Sequence, residues 1–140
     1  MAGVALGIAV VALRRSDLNS SAAMIVAMNQ GFADSWRQLV RADPDHTDHE
    51  FAELLNSFEI AAAIHQEGSV RGVAKELLED YLCRALSMFN EDEGAKQMVA
   101  ALRDTPTTFR YVILFLKAMK KSGRTDGIET LVDAEPRWSE

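Results

Sequence analysis

The stretch FAELLNSFEIAAAIHQEGSVRGVAKELLEDYLCRALSMF, residues 51–89, decides the fold. In its first half Phe51, Leu54, Leu55, Phe58, Ala62 and His65 recur every three or four residues, which places them on one face of an α-helix. Ile60 and Ile64 lie nearly opposite, so this helix is apolar on two sides and belongs at the centre of a helical domain. Thr47 and Glu50, just upstream, have the spacing of a capping box, and Gly68 stands where a helix would end. A helix is therefore predicted over 47–66. After Gly68 a second broad stripe follows: Val70, Val73, Ala74, Leu77, Leu78, Tyr81, Leu82, Ala85, Met88 and Phe89. With Ser69 as N-cap it predicts a helix over 69–89. A link of two residues between the two favours an antiparallel helical hairpin.

Three further helices flank this pair. Met24, Ile25, Met28, Phe32, Trp36 and Leu39 form one stripe over 20–41, stopped by Asp43 and Pro44. Gly31 inside that run costs about 1 kcal/mol relative to Ala, which points to a kink or a close contact there. A shorter helix is predicted over 91–103, with Asn90 as its cap and Met98, Val99 and Leu102 pointing inward. The last, over 106–122, opens on Thr105-Pro106 and carries Phe109, Val112, Ile113, Leu116 and Met119 on one face. Its YVILFL run has the composition of a buried strand, but no second strand exists to pair with it, and the lysines with Gly123 form a helix C-terminus. The expected fold is all-α, a single bundle of about five helices plus a short apolar N-terminal helix. The expected organisation is a stub over 1–15, the bundle over 16–123 and a loosely ordered tail over 124–140.

The chain has 140 residues, the size of one ordinary domain, and its hydrophobic content of 48% suits a globular protein. The net charge of -6 is unevenly spread: residues 43–68 hold seven acids and no Lys or Arg. No segment forms the concentrated basic stripe that phosphate binding needs, so nucleic-acid binding is disfavoured; Lys117, Lys120, Lys121 and Arg124 form only a local patch. The single cysteine, Cys83, excludes an internal disulfide and reads as a half-buried, inert thiol.

Residues 1–13, MAGVALGIAVVAL, are uncharged, and Arg14 and Arg15 follow at once. As a helix they would span roughly 20 Å, short of the ~30 Å hydrocarbon core. The segment reads as a membrane anchor whose upstream part lies outside the chain, with the arginines on the cytoplasmic side. It also reads as a helix that packs on the domain or on another copy, or as a frayed terminus. Its Gly and Ala content suits close helix packing.

Two clusters carry candidate chemistry. In DPDHTDHEFAE, residues 43–53, His49 and Glu53 share a helix face, and His46 sits just before the helix, which makes the three a candidate metal set. The spacing matches neither a zinc-protease HExxH nor a calcium loop, and carboxylates at a helix N-terminus are stabilising without any ligand. In the central helix Asn56, Glu59 and His65 are candidate structural polar residues; Glu59 borders the apolar face and needs a partner, for which Arg84 or Arg110 are the candidates. Trp138 in the tail reads either as a docking anchor for a partner or as a tail folded onto the body. Phosphate loops, nucleophile elbows and Cys-x-x-Cys motifs are absent, so no catalytic residue and no cofactor is expected.

The pattern F-x-x-LLN-x-FE…EG, here Phe51, Leu54, Leu55, Asn56, Phe58, Glu59, Glu67 and Gly68, follows a Trp-bearing helix (GFADSWRQLV) and precedes TPTTFRYVILFL. In that order of features the chain resembles a group of small bacterial all-helical domains of unknown function with an N-terminal membrane anchor, some linked to phages or phage defence. The resemblance covers roughly residues 1–120. It implies an anchored helical domain and no catalytic residues.

Taken together, the residues predict a non-enzymatic helical protein-interaction module that acts through a protein partner or self-association. Residues 1–15 would tether it to a membrane. The expected location is the cytoplasm, or the bacterial inner membrane with the domain on the cytoplasmic side. Two alternatives stay open: a small metal- or ligand-binding enzyme using the His46–Glu53 segment, and an acidic phage-type inhibitor or decoy that binds a basic partner through residues 43–67.

Overall fold

A computed structural model describes residues 2–103 and 108–124, with side chains for 20–103 and 108–124. The protein is all-α: α1 (Ala2–Arg41), α2 (Thr47–Gln66), α3 (Gly72–Glu91), α4 (Glu93–Leu102) and α5 (Arg110–Lys121). No strand occurs among the described residues. The expected stub helix and the helix over 20–41 form one element, because 14–19 contain neither proline nor glycine to break it.

α2 packs on α1 and on α5, while α3 packs on α1 and carries α4; of the two residues expected to make α2 apolar on its second side, Ile64 is partly buried and Ile60 is exposed. Phe58, fully buried, is the hub. Its ring meets Phe32 and Trp36 of α1 and Tyr81 and Phe89 of α3 at centroid distances of 5.4, 6.5, 6.2 and 5.8 Å. Trp36 Nε1 donates to the Tyr81 hydroxyl at 2.8 Å, so the two amphipathic aromatics satisfy each other inside the cluster. Phe51 meets Phe89 near one end of the bundle, and His65 meets Glu79 near the other, so α2 and α3 are antiparallel. Arg71 N–H donates to the buried Ser21 hydroxyl at the latter end, and Trp36 meets Phe89 at the former, so α1 and α3 run in the same direction.

Several helix ends differ from the expected ones. Thr47 is not an N-cap. α2 is entered through His46, and the Thr47 hydroxyl turns back to donate to the Asp43 carbonyl at 3.0 Å. Ser69 does not cap α3 either. Gly68 adopts φ +73, its N–H donates to the His65 carbonyl, and the Ser69 N–H reaches back to Ile64, so Ser69 closes α2 in a Schellman motif. α3 then begins at Gly72. α4 is capped by Asp92, whose carboxylate accepts from Ala95 N–H at 2.8 Å, while Asn90 stays inside α3. The Thr105-Pro106 start expected for α5 lies outside the described residues, and the described helix begins at Arg110. Gly31 has open space beside its Cα, so no close contact explains it.

Candidate functional site

α3 shows the largest departure from its expected burial. Val73, Leu77 and Met88 belong to the expected apolar stripe, yet they are 69%, 55% and 59% exposed. The stripe is wider than the space between α1, α2 and α4, so Leu78, Leu82, Ala85 and Phe89 take the buried positions and the Val73–Leu77 edge is left outside. Across from it on α1 stands Val26, 58% exposed. Between the two helices runs an open groove of about 560 Å³ floored by Ile25, Phe32, Leu78 and Tyr81, with Asn29, Gln30, Asp80 and Arg84 along its rim. Apolar floors with a few polar rim groups are the usual composition of a recognition groove.

Beside this groove lies a buried ionic cluster. Glu79 of α3 is 8% exposed, a position a carboxylate takes only when it is answered. One oxygen meets His65 Nε2 of α2 at 2.8 Å, and the other accepts from Arg124, which also bonds Asp80. The His65 ring stands edge-on to Phe115 of α5 at 5.1 Å. Arg124 reaches the cluster because Gly123, at φ +76, closes α5 in a second Schellman motif and turns the next residue onto α3. The cluster thus ties α2, α3 and the end of α5 together. Cys83 lies next to it. Burial raises its pKa, Arg124 lowers it, and Glu79 and Asp80 raise it further, so the thiol is held protonated.

Glu59 has a different partner from those expected. Neither Arg84 nor Arg110 receives it. Its two oxygens accept from the backbone N–H groups of Tyr111 and Val112 at 2.9 and 2.8 Å. α5 needs this, because its N-cap is Phe109, held at φ +58 with no side chain able to cap. A carboxylate from α2 therefore caps α5 across the core boundary. Asn56 is exposed, and His65 is the buried partner of Glu79.

His46, His49 and Glu53 do not come together: all three are exposed, and no group of three His, Cys, Asp or Glu among the described residues is placed to hold a metal ion. His46 instead lines a polar recess with Arg37, Arg41, Asp43 and Glu50. Arg37, which pairs with Asp34 at 2.8 Å, and Arg41 at the end of α1 thus stand near the acidic segment, a proximity that local sequence does not display. Trp138 lies outside the described residues. Sequence reasoning also gave no sign that Arg103 would be buried. It lines a small apolar recess with Phe89, Val99, Phe109 and Leu116, and that burial lowers its pKa.

No helix among the described residues is long and apolar enough to cross a membrane. Comparison with models of protein families, with curated proteins and with solved structures finds no match to this chain.

Proposed function

We propose that the chain is a non-enzymatic helical interaction module that pairs with a second copy through the α1–α3 groove while residues 1–15 hold it against the cytoplasmic face of a membrane. The exposed apolar edge carries the reading. Leu77 on α3 and Val26 on α1 flank an apolar floor, Val73 stands one helical turn from Leu77, and no described residue covers them. The rim favours a second copy as occupant. Asp80, which already holds Arg124, and Arg84 are one helical turn apart on the same face of α3, so a two-fold pairing would bring the other copy's Arg84 to each Asp80 as a second base. Aromatic and aliphatic side chains at the centre of such a face supply the binding energy, and the charged pairs fix its register.

The test is sedimentation velocity of the full chain from low to high micromolar concentration, beside a Val26→Asp/Leu77→Asp variant. The native chain is expected to form a concentration-dependent dimer. The variant is expected to be monomeric with an unchanged melting temperature, because both positions are exposed. A native chain that stays monomeric over this range, or a dimer indifferent to the two substitutions, overturns the reading.

A further inference from the structure

The two ends of the bundle carry opposite charge. Ser21 of α1, the start of α3 and the end of α5 lie at one pole, as the bonds Ser21–Arg71 and Arg124–Glu79 require. Exposed at that pole are Arg71 and Lys75 at the start of α3 and Lys117, Lys120 and Lys121 in the last turns of α5. Among the residues with described side chains, the acids there are Glu67 and Glu76 in the open, with Glu79 and Asp80 both bonded to Arg124. The opposite pole holds Asp43, Asp45, Asp48 and Glu50 together with Asp92 and Glu93, against Arg37, Arg41 and Lys96, so acids are in excess there. These residues come from distant parts of the chain, and the antiparallel course of α2 against α3 gathers them at the two ends.

The N-terminal part of α1 continues past Ser21 at the basic pole. From Ser21 to Arg15 is six residues of helix, about 9 Å. Arg14 and Arg15, with Asp17 between them and Ser21, therefore follow along the helix axis at that end, and the uncharged residues 2–13 come next.

We infer that the basic pole, formed by Arg71, Lys75, Lys117, Lys120 and Lys121, is a docking surface for anionic lipid headgroups that orients the bundle on a membrane. The inference rests on the membrane tether proposed above, and not on self-association. An apolar run of the length of residues 2–13 gives weak binding by itself, and a polybasic surface beside it is the second signal that makes such attachment stable. With the basic pole on the headgroups, the acidic pole points away from the membrane and the α1–α3 groove stands along the side, open to a neighbouring copy on the same surface.

The experiment is co-sedimentation of the full chain with phosphatidylcholine vesicles, with and without a minority of phosphatidylglycerol, beside a Lys75→Gln/Lys117→Gln/Lys121→Gln variant. All three side chains are exposed, and an unchanged circular-dichroism melt confirms that the variant folds. The native chain is expected to prefer the anionic vesicles, and the variant to lose roughly a hundredfold in partitioning to them, about fivefold per neutralised cation. Equal binding of both proteins to both vesicles overturns the inference and leaves the apolar tether standing. Absence of binding to either vesicle overturns both. Displacement from anionic vesicles by duplex DNA at equal phosphate concentration also overturns it, because the pole would then be a general polyanion site.

Discussion

Replacing Glu59 by Ala removes the side chain that caps α5 at Tyr111 and Val112. Both carboxylate oxygens accept backbone N–H groups, at 2.9 Å from Tyr111 and 2.8 Å from Val112. A hydrogen bond of this kind contributes about 1 kcal/mol net, and the charge adds a few tenths more by facing the positive end of the helix dipole. The local cap residue, Phe109, has no side-chain oxygen to replace the lost acceptor. The expected loss is about 2 kcal/mol in urea unfolding, which for a domain of this length corresponds to a fall of roughly 7 °C in Tm. Glu59→Gln keeps one acceptor oxygen and is expected to cost about half as much. Amide hydrogen exchange separates this cause from general damage: the Tyr111 and Val112 amides should lose protection first in Glu59→Ala. A loss below about 0.5 kcal/mol, or unchanged protection of those two amides, would refute the capping role.

Gly31→Ala should raise stability by about 0.5 to 1 kcal/mol in the same unfolding assay, since a methyl group there meets nothing within 4 Å and alanine is the better helix former. Cys83 should react with a thiol-specific reagent at least roughly tenfold more slowly in the folded chain than in urea, because burial raises its pKa and restricts access. Arg124→Ala should slow it further, since Arg124 is the cation that pulls the thiol pKa down; a faster reaction in that variant would contradict the electrostatic assignment.

The all-α fold and most of the buried core could be read from residue spacing alone. Phe51, Leu54, Leu55, Phe58 and Ala62 recur at the helical period, and all are buried in α2. This works because amphipathic periodicity is a property of one helix and its own face. Cap positions were less legible. Thr47, Ser69 and Asn90 each have the right side chain for an N-cap, yet the N-cap positions of α2, α3 and α4 are His46, Arg71 and Asp92. Capping side chains compete within a few residues for the same donors, and the winner depends on how the turn before the helix closes.

What the sequence determined by itself is therefore local: five apolar stripes, the glycine turns at 68 and 123, and the uncharged run over 1–13 ahead of two arginines. What only tertiary structure decided concerns pairs of residues far apart in the chain. Glu59 finds the amides of α5 rather than an arginine, Arg124 closes on Glu79 and Asp80, and the acids of 43–50 gain Arg37 and Arg41 as neighbours. The exposed edge of Val73 and Leu77 belongs to the same class. An apolar stripe states how much surface a helix has available to bury, and the number and placement of its neighbours set how much of it is covered.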